Sequence, residues 1–429
     1  MKREETETPR SEGREPKLVS RRDVLKMGAV GGLGLLIGVT GIKGLGLLDG
    51  PETASAKPSP EAGTIPFYGA HQAGVVTPMQ DYVCMGAFDL TTGSVDAVRK
   101  LFKMWTEASA RFASGEGVGD ESGSALVPPA DTGETIGLLP ARATLTFGLG
   151  ASFFDGRYGL ASKRPEALAD IPAFKRDELV SEWSHGDVIV QVCANDPQVA
   201  FHAIRNLARI ARGKAVLRWM QQGYQRSGLA DPKAGTPRNL LGFKDGTNNP
   251  NVGDADVADD IVWAKGADGA PWMDGGSYMV VRRIRMRIEV WDRTTLGEQE
   301  ATFGRHRDTG APLGQAGEFD TADYAKAGKG GKPLIPGDSH MALASMGGKV
   351  KIHRRGYSYT NGIDLRTGQL DAGLLFICYN RDPRKQFIPM QEKLAASDRL
   401  NEYIQHVGSG IYAVLPGVRE GGSLGDSLW

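Results

Sequence analysis

One pattern occurs twice in this chain and narrows its fold more than any other feature. Val188-Ile189-Val190-Gln191-Val192-Cys193 is an apolar run of strand length, followed by Ala194-Asn195-Asp196-Pro197 and a helix predicted from Gln198 to about Arg212. The second copy is Leu374-Leu375-Phe376-Ile377-Cys378-Tyr379, then Asn380-Arg381-Asp382-Pro383 and a helix to about Ala396. In both, the aspartate is placed to cap the helix and the proline suits its first turn. Each copy has a strand and helix upstream: Tyr82 to Phe88 with a helix from about Val95 to Ala110, and Ser277 to Trp291 with a helix from about Thr294 to Phe303. Met279 to Trp291 alternates apolar and basic residues, as a half-buried antiparallel strand does. The expected class is therefore α+β: duplicated ferredoxin-like domains with antiparallel sheets, of the dimeric α+β barrel type. The halves are placed at 65–225 and 226–429, with the boundary falling between residues 214 and 240.

Composition removes several alternatives. The 429 residues carry 51 basic and 51 acidic side chains, so a long basic surface for nucleic acid is not expected. The 58 glycines favour turns and long loops over a helical bundle. Cys84, Cys193 and Cys378 are far apart and form no zinc-type spacing. Cys193 and Cys378 sit in apolar runs and are expected to be buried free thiols. No HExxH occurs, which removes support for a zinc hydrolase of that kind.

The N-terminus has the order of a targeting signal. Ser20-Arg21-Arg22-Asp23-Val24-Leu25-Lys26 precedes a glycine-rich apolar run, Met27 to Ile42, that is short for a membrane span. Lys43 interrupts it, and Thr53-Ala54-Ser55-Ala56 offers a small-residue cleavage site. The segment resembles a twin-arginine signal, with Val24 where Phe is usual. Residues 1–56 are accordingly read as a signal peptide and 57–64 as a linker. The signal implies passage through the twin-arginine translocase to the periplasm or the exterior, a route suited to proteins that fold around a cofactor before export. Residues 1–56 hold nine basic and eight acidic side chains, which leaves 42 and 43 in the remainder, a net charge of −1.

Three further stretches could carry chemistry. In Gly242-Phe243-Lys244-Asp245-Gly246-Thr247-Asn248-Asn249-Pro250, glycines flank an aspartate on a turn-rich loop, and Gly246 would let the backbone approach a flat or bulky group. In Pro336-Gly337-Asp338-Ser339-His340-Met341-Ala342-Leu343, a histidine between a turn and an apolar segment could be an axial metal ligand. In Ile352-His353-Arg354-Arg355-Gly356-Tyr357-Ser358-Tyr359, two arginines could present a guanidinium to an anion or a peroxide. Taken singly, each also fits a bland role: a solvated Asp-Gly turn, a hydrogen-bonded structural histidine, an exposed arginine pair.

Together these stretches resemble the dye-decolourising peroxidase family, and its exported, deferrochelatase-like branch most closely. Gly242–Gly246 matches the family's GxxDG. Further matching segments are Tyr68-Gly69-Ala70-His71-Gln72-Ala73-Gly74, Thr146-Phe147-Gly148-Leu149-Gly150, Asp196-Pro197-Gln198-Val199-Ala200-Phe201-His202 and Leu400-Asn401-Glu402-Tyr403-Ile404. The resemblance implies one haem b per chain, held mainly by the C-terminal half. His340 would be the iron ligand, Asp245 the distal acid/base and Arg354 the distal arginine, with Gly246 and Thr247 beside the cofactor. An acidic residue should hydrogen-bond the ligand histidine; Asp398 is the candidate and Glu392 its rival. The family's longer stretch of Arg and Asn after the histidine is replaced by apolar Met341 to Ser345, with a shorter spacing to Arg354.

The implied activity is peroxidation: hydrogen peroxide is reduced while dyes, phenols or other organic reductants are oxidised. The alternatives are a deferrochelatase, which takes iron from haem and leaves the porphyrin intact, and a haem-binding partner of an iron-uptake system. A homo-oligomer is compatible with each. Tyr357, Tyr359, Trp272 and Trp291 are chemically suited to relay electrons from the surface.

Overall fold

A computed structural model describes residues 63–119, 123–227, 230, 233 and 235–429. The signal and nearly all of the linker expected at residues 1–64 lie outside the described residues. Among the described residues no helix is long and apolar enough to cross a membrane.

The N-terminal half runs β1 (Tyr82–Leu90), α1 (Val95–Ala113), β2 (Thr144–Gly150), β3 (Val188–Ala194), α2 (Pro197–Ile210) and β4 (Ala215–Tyr224). After α3 (Ala255–Ile261), the C-terminal half runs β5 (Ser277–Met286), α4 (Leu296–Phe303), α5 (His340–Ala344), β6 (His353–Arg354), β7 (Tyr357–Asp364), β8 (Gln369–Asn380), α6 (Phe387–Ser397) and β9 (Ile404–Val414). The strand order is β2-β3-β1-β4 in one half and β7-β8-β5-β9 in the other, the same ferredoxin-like order twice. Every pairing between these strands is antiparallel. Tyr224 of β4 opposes Ser358 of β7, and Gly148–Gly150 of β2 oppose Tyr412–Val414 of β9. These two joins close the sheets into one barrel, which leaves the eight long strands no free edge. Duplication is thus present as expected, within one compact unit.

Period-2 alternation sorts the side chains. Val83, Met85 and Ala87 of β1 pack in the barrel lumen with Ile189, Cys193, Tyr357, Leu375, Ile377, Tyr379 and Tyr412. Cys84, Phe88, Val190 and Val192 face the outer layer, where α1 lays Val98, Leu101, Phe102, Trp105 and Phe112 against them at helical spacing. Ser94 caps α1 by accepting from Ala97 N, and Trp105 donates its indole N–H to Leu207 O of α2 at 2.9 Å. All three cysteines are buried and free.

Two local expectations change. The Asp-Pro pair opens α2, where Asp196 accepts from Gln198 N and Val199 N. In the second copy Asp382 accepts instead from Arg384 within a turn, and α6 starts only at Phe387. The strand expected to reach Trp291 stops at Met286, because Ile288–Trp291 turn helical and Trp291 donates to Leu241 O in a separate core.

The lumen is polar at one end, where Gln72–Gln80 crosses it. Gln72 donates to Phe147 O and Leu415 O, Gln191 to Gly74 O, and His353 to Val75 O at 3.0 Å. Gly74 has φ +90, and a Cβ there would lie 2.4 Å from Thr146 Oγ1, so only glycine fits this crossing. Burial, reinforced by the Arg355 charge, lowers His353 to about 4. Burial and then Arg282, which donates to His406 Nδ1, lower His406 to about 3.

Both histidines are held neutral when folded and take up a proton near pH 6.5 when unfolded. Their contribution is therefore complete above about pH 6.5 and is lost as pH falls toward their folded values. For His406 alone the loss by about pH 4.5 is up to about 3 kcal/mol. A His406→Gln variant, whose amide oxygen can still accept from Arg282, should have a flatter urea-unfolding stability between pH 7 and 4.5. Parallel profiles for variant and wild type would contradict this account.

Candidate active site

β6 is two residues long, and its alternation governs the site. His353 pairs with Tyr379 and faces the lumen, while Arg354 pairs with Cys378 and faces outward. Arg355 turns inward again and is fully buried, its guanidinium donating to Thr77 O and Gln80 Oε1. The arginine that reaches the outer face is thus Arg354. Its Nη1 donates to Asp245 Oδ1 at 2.5 Å.

The loop holding Asp245 is fixed by backbone and side chain. Asp245 N donates to Pro237 O, and Gly246 follows with φ +129, a conformation open to glycine and strained for other residues. Asn249 accepts from Arg354 N at 3.0 Å and donates to Arg354 O at 2.7 Å, which ties the loop to β6. This clamp was not foreseen; its only sequence signal was position, four residues after the aspartate. Thr247, expected beside the cofactor, donates its hydroxyl to Glu318 at 2.8 Å, and Lys244 also donates to Glu318.

His340 is the first residue of α5, behind its N-cap Ser339. Its Nδ1 donates to Asp398 Oδ2 at 2.6 Å, and the other carboxylate oxygen of Asp398 accepts from Leu400 N at 2.9 Å. Asp398 is buried, whereas the rival Glu392 is exposed on α6. Burial opposes a charged His340 ring, but the Asp398 charge and hydrogen bond outweigh it and raise its pKa. No hydrogen bond is made by Nε2 among the described residues, and Phe303 stands edge-on to the ring at 6.2 Å.

A cavity of about 570 Å³ opens onto Asp245, Gly246, Asn249 and Arg354. Its apolar wall includes Leu374 and Phe376 on the outer face of β8, both only half-covered. The same cavity extends across the seam to Asp81, Arg142 and Asn195 of the N-terminal half. The four aromatics considered for surface relay are all buried. Tyr357 and Tyr359 lie in the lumen, while Trp272 and Trp291 spend their indole N–H groups on Lys163 O and Leu241 O. None of them is a surface residue.

Residues 72–225 match the family model for the N-terminal part of Dyp-type peroxidases, and residues 236–419 match that for the C-terminal part. The chain belongs to the DyP-type peroxidase family. It is 39% identical over 404 residues to a protein named deferrochelatase from Yersinia pestis, covering 90% of this chain and 92% of that one. The deferrochelatase of Escherichia coli O6:K15:H31 is 40% identical over 371 residues, covering 85% and 86%. Among solved structures, ferric DtpA from Streptomyces lividans has a TM-score of 0.80 at 38% identity, covering 87% of this chain and 99% of that one. A DyP-type peroxidase from Streptomyces coelicolor has a TM-score of 0.79 at 38% identity, covering 86% and 98%. The chain is therefore an enzyme, a haem peroxidase of the DyP type.

In a DyP-type chain with this geometry, Asp398→Ala frees the His340 ring and leaves Leu400 N without its acceptor. Haem retention on gel filtration should fall by about 10-fold or more relative to wild type, the scale of losing such a partner. Glu392→Ala should retain haem normally; equal losses in both variants would remove Asp398 from this role.

Proposed function

We propose that this chain is a haem b-dependent peroxidase, with one haem per chain, that reduces hydrogen peroxide and oxidises organic reductants such as dyes and phenols. The observation that carries the reading is the pairing of two arrangements: a histidine fixed through Nδ1 with its Nε2 open, and an Asp245–Arg354 pair on an apolar-walled cavity.

The residues fit a haem. An imidazole whose Nδ1 is held by a buried carboxylate presents Nε2 as a metal donor and is made more basic by that partner. Leu374 and Phe376 offer a half-covered apolar wall of the kind a macrocycle would cover. His340 would hold the iron and Asp398 would orient the ring. When bound, the haem supplies the redox chemistry of peroxide cleavage.

The protein supplies proton handling and charge. Peroxide must lose a proton from one oxygen and gain one on the other, the departing one. Asp245, on a loop fixed by Asn249 and Gly246, would accept the first proton and return it to the departing oxygen. A carboxyl group serves such a shuttle best on the acid side of neutrality. Arg354 stays charged and stabilises negative charge building on the departing oxygen. Met341 to Ser345 supplies no charged side chain on the α5 side, which keeps that edge apolar.

A second reading is favoured by the names of the relatives. If this chain acts as they are named, it releases iron from haem and leaves the porphyrin intact. Incubation with haem followed by an assay for iron-free porphyrin distinguishes the two. A passive haem carrier serving iron uptake would need neither Asp245 nor Arg354. We also propose export through the twin-arginine translocase to the periplasm or beyond, on the order of features in residues 20–56. A homo-oligomer remains compatible with this scheme.

His340→Ala should abolish the Soret band of the purified protein; normal haem content in that variant would overturn the ligand assignment. Arg354→Leu should keep the Soret band while peroxide consumption slows by about 10²–10³ in stopped flow. An unchanged rate would remove Arg354 from the chemistry.

A further inference from the structure

The cavity continues beyond Asp245 and Arg354 to a part of the N-terminal half that the proposed chemistry does not use. Its charged lining comprises four arginines, Arg142, Arg226, Arg238 and Arg354, against two aspartates, Asp81 and Asp245. Arg354 is matched by Asp245, and the Arg238 guanidinium is taken up by the carbonyls of Gly242, Arg307 and Asp308. Arg142 differs from these. Its side chain is half-buried and lines the cavity, yet its guanidinium makes no ion pair or hydrogen bond among the described residues.

The backbone under Arg142 is held in a costly form. Ala141 and Arg142 have φ +50 and +56, two consecutive non-glycine residues in the left-handed region. Three hydrogen bonds hold them there. Arg142 N donates to Gly63 O at 2.6 Å, Asn195 N donates to Ala141 O at 2.7 Å, and Gln80 Nε2 donates to Arg142 O at 2.9 Å. Gln80 is the residue whose Oε1 receives Arg355, so one buried amide ties Arg142 to the strand that carries Arg354. Strain of this kind persists where the surroundings over-determine it, and it is found where a side chain must be aimed.

We propose that Arg142 is the docking point for the anionic group of an aromatic reductant bearing a carboxylate, which enters along this cavity toward the Asp245–Arg354 pair. An unmatched guanidinium is suited to a carboxylate, which it can bind through two parallel hydrogen bonds. The excess of arginine over aspartate gives the chamber the complementary charge. Tyr224 lines the same cavity and provides an aromatic surface for the ring. This inference rests on the peroxidase reading, because it supplies that site's reductant.

The test uses the haem-loaded protein and a matched pair of probes, 4-hydroxy-3-methoxybenzoate and its uncharged methyl ester. With peroxide, wild type should show a KM about tenfold lower for the carboxylate than for the ester. Arg142→Gln should raise the carboxylate KM by about tenfold, leaving its kcat and both constants for the ester unchanged; Arg142→Lys should restore part of the difference. Added salt should weaken the wild-type preference. If Arg142→Gln treats both probes as wild type does, the proposal is overturned. A calorimetric titration with benzoate, which needs no turnover, keeps the two readings apart. If neither phenol is oxidised, the peroxidase reading fails, while benzoate binding lost in Arg142→Gln still supports the anion site. Absence of benzoate binding to wild type overturns it.

Discussion

The site depends on one buried polar contact at its back, made by Gln80, which also lines the cavity. Arg355 lies inside the barrel with its guanidinium on Thr77 O and Gln80 Oε1, far from any solvent that could replace those acceptors. Withdrawing those acceptors would leave a buried charge unmatched, a cost of several kcal/mol. This holds β6 in one register, and alternation then sends Arg354 to the opposite face. A slip by one residue would take Arg354 off the outward face and leave either His353 or Arg355 opposite Asp245. The crossing segment Gln72–Gln80, which supplies both acceptors, is in this sense part of the active site although it comes from the other half of the chain.

The halves share a topology and differ in how their outer faces are covered, and that difference makes the cavity. On β3, Val188, Val190 and Val192 are fully buried in the core that α1 completes with Phe102 and Trp105. The corresponding helix of the second half, α4, has eight residues to the nineteen of α1. Leu374 and Phe376 on β8 remain half-covered, and α5 with His340 and the loop with Asp245 come from the long connections of this half. A duplicated fold thus provides one closed face for stability and one open face for a ligand.

Much of the fold was legible because repetition and period-2 alternation are written directly into β1, β3, β5 and β8. Closure was not, since it rests on short edge joins such as Tyr224 with Ser358, which leave no trace in composition. Ile288–Trp291 kept the apolar pattern of a strand, but Trp291 is held by Leu241 O in a core that alternation cannot announce. The site residues were legible only through resemblance: Asp245, His340 and Arg354 each have ordinary local contexts, and their meaning comes from being brought together. Asp398 is the candidate already in the sequence, but what separates it from Glu392 is burial, which only the folded chain shows. Asn249 was invisible for the same reason, as its two bonds run to a backbone 105 positions away.

The proton chemistry and the stability of this barrel pull in opposite directions. The proposed proton shuttle, like any carboxyl group in that role, is served best on the acid side of neutrality. The scaffold loses from acid, because His353 in the lumen and His406 beside Arg282 must accept protons that their buried, arginine-flanked positions resist. His353 is adjacent in sequence to Arg354, so the strand that positions the arginine also carries one of the groups that limit it. The scaffold then sets the lower bound of such an enzyme's useful range. A broader acid range would require changes at His353 or His406, and not at the residues proposed to meet peroxide.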